Sequence, residues 1–355
     1  MYNLKQNEEE ARERLRAFWR GESMGRPALL ACAKNTAFTP EPWQGADLTR
    51  KQKDFDPDWN VWAHRNAMRS RIYLAESMPA AHVSVGGLLT LLALLAGGDY
   101  EYHDSAWIQP WDDVLDGTVP KFDPNCEAVR RLTACYKKLA ETIGGDGLVA
   151  PPVQIDALTT LSMFLNPDNL CVSLLENPEK VKRWTRDTTS LYIDCVDYFS
   201  RLLNGLGHAG STSWLGIYSE GKMDAVQCDF SVMLSPEMFG EFAAPDLTRV
   251  TSFLDDSIYH LDGVEQMRFI DQLAAMPNLR GIQWNPAKAA HPSVYMKHFK
   301  RIRELGLSLF IWADKVDYAV YLTKELGSDG LLIGLPFFER EEDAREAIAL
   351  IERAS

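Results

Sequence analysis

SIYHLD (257–262), LRGIQW (279–284), LSLFIW (307–312) and GLLIGL (330–335) are four short runs of aliphatic and aromatic residues, each followed by a helical pattern. They recur at intervals of roughly 22 to 28 residues, near the size of a strand-plus-helix unit, so this half of the chain reads as parallel α/β. Apolar residues fill both parities of these runs, as in strands covered on both faces.

Upstream, PALLACA (27–33), HVSVGG (82–87), LVAPPVQI (148–155), TSWLGIY (212–218) and AVQCDF (225–230) supply further candidate strands, enough to close a ring. The expected fold is a single α/β domain over 1–355, a (β/α)8 TIM barrel with an N-terminal helical and loop-rich elaboration. An open doubly wound sheet is the alternative, but no G-x-G-x-x-G stands at a strand-to-helix junction. Residues 7–20 carry acids first, bases later and an apolar stripe of Leu15, Phe18 and Trp19, which predicts a docking helix within 1–26. Long tryptophan-rich loops are expected within 36–125. Asp123-Pro124, Asn177-Pro178 and Ser235-Pro236 predict helix starts by a polar cap followed by proline.

Composition narrows the function. A net charge of −13 excludes a general nucleic-acid binder, which needs clustered Lys and Arg. The most apolar run, 85–98, is too short for a membrane span. Six cysteines without C-x-x-C spacing and without a signal peptide predict reduced thiols in a cytoplasmic protein. The elbow of serine hydrolases, the H-E-x-x-H helix and the Walker loop are all missing.

In a barrel, polar residues at the last positions of the strands share one mouth. His260 and Asp262 stand at i and i+2 and so face the same side of a strand, a pair suited to acid/base chemistry, to metal binding or to closing the strand end. Gln227 and Asp229 repeat the spacing, with Cys228 between them as a candidate thiolate nucleophile or ligand, or a buried apolar residue. Lys34, Gln283, Trp284, Trp312 and Asp314 fall at other strand ends, and Trp214 near one. The tryptophans suit a wall for sugars, flat rings or methylated ammonium groups, or else pack loops onto the barrel.

The stretch QCDFSVMLSPEMFGEFAAPDLTRVTSFLDDSIYHLDG (227–263), with LLENPEKVKRW (174–184) before it, resembles the uroporphyrinogen decarboxylase superfamily. The resemblance spans about 150 to 340 and implies a (β/α)8 barrel. It also implies one of two chemistries: cofactor-free decarboxylation of porphyrinogen acetates, or zinc-dependent methyl transfer between corrinoid proteins and thiols. The sequence departs from both. Where the decarboxylases carry an arginine-rich segment, ALLACAKNTAFTPEPW (28–43) offers Lys34 alone. Where the methyltransferases carry His-x-Cys and a later cysteine, this chain has His260-Leu261-Asp262 and the neighbourhood of Gly334.

The leading expectation is therefore a methyltransferase-like enzyme of corrinoid or one-carbon metabolism acting on a small molecule, with His260, Asp262 and Asp229 as catalytic groups. Its cofactor, if it has one, is zinc held by His260, Asp262 and Cys228, and a corrinoid protein is its expected partner. A metal-free lyase or decarboxylase on a small polar or sugar-derived substrate is the alternative. A non-catalytic subunit that binds a ligand or a corrinoid protein is the third.

Overall fold

The computed structural model describes residues 1–87, 90–286, 288 and 290–355. Its strands are β1 (Ala28–Lys34), β2 (Arg71–Ala75), β3 (Ala80–Ala81), β4 (Tyr100–Tyr102), β5 (Ala106–Ile108), β6 (Leu148–Val149), β7 (Ser211–Thr212), β8 (Tyr218–Ser219), β9 (Met223–Val226), β10 (Asp256–Asp262), β11 (Leu279–Asn285), β12 (Ser308–Trp312) and β13 (Leu331–Gly334). Seven of them form one sheet in the order β2-β1-β13-β12-β11-β10-β9, parallel throughout except for β2, which runs against β1. β3 and β6 form a separate parallel pair, and no ladder among the described residues joins that pair to the large sheet. The architecture is thus mixed α/β around a parallel sheet, with the hydrogen-bonded ladder open on either side of β3 and β6.

Several segments differ from the expectation. In LVAPPVQI only Leu148–Val149 pairs, because Pro151 and Pro152 have no N–H to give a ladder. HVSVGG lies beyond β3, and Gly86 and Gly87 adopt the positive φ of a turn. TSWLGIY is the turn of the antiparallel β7–β8 hairpin, and β9 stops at Val226, short of AVQCDF's end. β2 went unread in the sequence. The helix expected from Asp123-Pro124 starts at Glu127, with Cys126 as its cap residue, whereas helices do begin at Pro178 and Pro236, the latter with Ser235 accepting from Met238 N–H.

Two apolar clusters divide the sheet by parity. Ala28, Leu30, Ala225, Ile258, Phe310 and Leu332 belong to the smaller one, with Leu148 and Ala150, and define an inner face. Leu29, Val226, Tyr259, Leu261, Ile282, Ile311 and Ile333 face the other way, into the larger cluster of the surrounding helices. The helix Glu8–Trp19 closes the inner face at the amino-terminal ends of the strands. It inserts Ala11, Leu15 and Phe18, Trp19 Nε1 donates to the Tyr218 carbonyl (2.9 Å), and Phe18's carbonyl accepts from Ser308 Oγ (2.9 Å). Apolar side chains thereby fill the inner face at that end. All six cysteines are unpaired, and no helix among the described residues is long and apolar enough to cross a membrane.

Glu76 ties this end together. Fully buried, it accepts from Arg26 Nη1 (2.7 Å) and Nη2 (2.9 Å) and from Leu29 N–H (2.6 Å), clamping the entry of β1 to the turn after β2. Arg26→Met leaves that carboxylate buried without its bidentate partner, Arg14 Nε at 3.7 Å being the cation that remains, and the expected loss is about 3–5 kcal/mol of unfolding free energy in urea. A loss under about 1 kcal/mol, the range of exposed pairs, contradicts the clamp.

Candidate active site

β10 and β11 run in parallel register with His260 opposite Gln283 and Asp262 opposite Asn285. Since Ile258 lies on the inner face, the alternation of a strand carries His260 and Asp262 onto the same face at its carboxyl end. His260 Nδ1 is hydrogen-bonded to Gln283 Oε1, while Gln283 Nε2 donates to the Trp284 carbonyl (2.9 Å). That second bond fixes the amide: its N–H side is committed to a backbone acceptor, so its oxygen faces the imidazole. Nδ1 must then be the donor, and in the neutral ring Nε2 is left with its lone pair free. The Trp214 ring meets the imidazole edge-on, centroids 4.8 Å apart at 80°.

Asp262 Oδ1 accepts from Asn285 Nδ2 (2.7 Å), and Asp262 N–H donates to Gln266 Oε1 (3.3 Å). Gln266 in turn donates to the Cys228 carbonyl (3.4 Å), linking β10 to the turn after β9. Asp229, on that turn, is partly buried, and burial raises its carboxyl above the usual range. Nearby His260 opposes this rise and Asp262 adds to it. Asp229, His260 and Asp262 are therefore within electrostatic reach of one another at the mouth.

The other expected residues divide. Gln227 is buried with its Oε1 unpartnered among the described residues. Trp312 is 48% exposed, and its ring lies over Gly334: a Cβ there would fall 2.0 Å from it. Lys34 is exposed and paired with Glu339 (3.1 Å), and Asp314 is exposed. Trp284 has the opposite parity to Gln283, and packs against Tyr295, His298 and Phe299 at 5.2–5.6 Å, away from His260. Among the loop tryptophans, Trp43, Trp59 and Trp62 pack on one another at 4.6–5.6 Å.

Cys228 is not brought to His260. It is fully buried in the larger apolar cluster, behind the strand, where burial and neighbouring Asp156 push its thiol well above the ordinary value. Among the described residues no three His, Cys, Asp or Glu side chains form a group able to hold a metal ion. The donor set of a mixed zinc site is thus not assembled, and the ring of Trp312 occupies the space that a side chain at position 334 would need.

Asn285, which the sequence reading did not single out, and Asp156, which follows the run PPVQI, also bear on this region. Asn285 orients Asp262, and its signal was legible, since it continues the i, i+2 series of Gln283. Asp156, which caps the helix Ala157–Leu165 by accepting from Thr159 N–H (2.9 Å), sits buried against Cys228 with Oδ2 lacking any other partner among the described residues.

No family model matches the chain, and no curated protein matches it in sequence. A methyltransferase from Methanosarcina mazei matches in structure over 97% of this chain and 98% of its own, with a TM-score of 0.59 and 13% identity. The two chains share a fold across their whole lengths.

Burial pushes the Asp156 carboxyl up to about 7, so the folded chain retains a proton that the unfolded chain releases near pH 4. Stability therefore falls as pH rises from about 4 to 7. Asp156→Asn keeps the capping oxygen and removes that penalty. Its melting temperature relative to wild type is expected to be higher at pH 8 than at pH 5 by about 4 °C. Asp224, buried against Tyr192 with its carboxyl also up to about 7, retains the rest of the slope. An equal difference at both pH values contradicts the assignment.

Proposed function

We propose that the chain is a methyltransferase-like enzyme of the uroporphyrinogen decarboxylase superfamily, in corrinoid or one-carbon metabolism, with His260 Nε2 as its general base. We read the fold as a (β/α)8 barrel in which the β3–β6 pair bridges the gap between β9 and the β1 edge that antiparallel β2 covers, a reading supported by Ala80, Leu148 and Ala150, which pack with the inner cluster. The observation that carries the function is the Gln283 amide, anchored on a backbone carbonyl and presenting its oxygen to His260 Nδ1.

In this reading a thiol acceptor gives its proton to His260 Nε2, and its sulfur electron pair forms the new S–CH3 bond. The donor departs with the electron pair of its former bond to the methyl carbon. Asp229 and Asp262 stabilise the imidazolium formed, and solvent removes the proton. A corrinoid protein is the donor partner that the family resemblance implies. No step passes through zinc, because the residues present do not form its ligand set.

A metal-free decarboxylase or other lyase on a small polar substrate is the second reading, favoured by the raised carboxyl of Asp229 beside His260. There His260 moves the proton to the product carbon and Asp229 stabilises a cationic intermediate.

Methyl transfer from methylcobalamin, used as a soluble donor, to a panel of small thiols separates these readings. The expected result is turnover that falls about 10²–10⁴-fold in His260→Ala and about tenfold in Gln283→Leu. Methyl transfer at the wild-type rate in His260→Ala overturns the base assignment. Failure of every thiol, with carbon dioxide released from a carboxylate panel, overturns the methyltransferase in favour of the lyase.

A further inference from the structure

The carboxyl ends of β11 and β12 border a cavity of about 160 Å³ beside the mouth. Its walls include the rings of Trp284, Tyr295, Phe299, Trp312 and Tyr318, and its one charged lining side chain among the described residues is the carboxylate of Asp314. Three features show that this is more than a packing gap. Trp284 is 2% exposed, yet its indole N–H has no hydrogen-bond partner among the described residues. The Tyr295 ring is pinned, its hydroxyl donating to the Lys288 carbonyl (2.9 Å). Trp312 takes its place only because residue 334 is glycine.

We propose that this cavity binds a methylated ammonium group, the aromatic faces and Asp314 taking the cation. A cavity of about 150 Å³ holds a molecule of benzene size, and a quaternary trimethylammonium head is of similar bulk. Ring faces attract cations through their quadrupoles, and a methylated cation surrenders far less hydration than an inorganic one. The chain's net charge of −13 adds a field of the same sign as Asp314.

The cavity adjoins the candidate active site. Asn285 lines it while donating to Asp262 (2.7 Å), and Trp312 projects from the inner face. The ligand is accordingly assigned as a small molecule held beside the site of methyl transfer, a placement that rests on the methyltransferase reading, whereas binding itself does not.

Calorimetric titration of the full chain with choline tests the proposal, with dimethylbutanol, its uncharged carbon isostere, as the control. Choline is expected to bind at least tenfold more tightly than the isostere. Asp314→Asn and Trp312→Ala are each expected to weaken choline about 2–30-fold. Equal affinity for choline and its isostere, no binding of choline, or unchanged binding in both Asp314→Asn and Trp312→Ala overturns it. Because no methyl acceptor is present in the titration, such a failure leaves His260-dependent transfer from methylcobalamin standing, and loss of that transfer leaves choline binding standing.

Discussion

The carbonyl of Trp284 holds one end of the Gln283 amide, and the chemistry of the mouth follows from that bond. Parallel register sets Gln283 beside His260, and with the amide nitrogen already committed only its oxygen faces the imidazole. One ring nitrogen is tied as a donor and the other left free at a mouth that also carries Asp229 and Asp262. The same register pairs Asp262 with Asn285, so two neighbouring strands orient both functional side chains through amides rather than through charges.

This arrangement needs a rigid support and a closed far end. The helix Glu8–Trp19 fills the inner face at the amino-terminal ends of the strands, and Glu76, gripped by Arg26 and by the backbone of β1, anchors the first strand there. At the carboxyl ends, Asp262 and Gly334 set the character of the mouth. Asp262 supplies a carboxylate, and Gly334 clears space for the Trp312 ring. The mouth is acidic and aromatic, which suits a cation better than a polycarboxylate.

The second half of the fold was legible because each strand there is a short apolar run bounded by turn residues, and the simple alternation of β10 was enough to put His260 and Asp262 on one face. Alternation also marked Asn285, though only a partner one strand away gives an amide its role. The first half was less readable. Pro151 and Pro152 sit inside an apolar run and halt pairing after Val149, and the strand at 71–75 runs antiparallel to β1, while Ala80–Ala81 pairs with β6 alone among the described residues. Cys228 faces away from the inner side, as the alternation of a regular strand asks of the residue between Gln227 and Asp229, and Trp284 shares that outer parity. Asp123-Pro124 carries a helix-start signature, yet the chain turns once more before the helix begins.

Nitrogen-15 NMR of ring-labelled histidine tests the central claim most directly, because the two tautomers of a neutral imidazole differ strongly in the shifts of their nitrogens. At a pH where His260 is neutral, assigned through the loss of its signals in His260→Ala, the account predicts a protonated Nδ1 and a bare Nε2, with a mixture of tautomers in Gln283→Leu. A dominant Nε2–H tautomer in the wild type would contradict it, since the atom assigned as the base would already carry the proton.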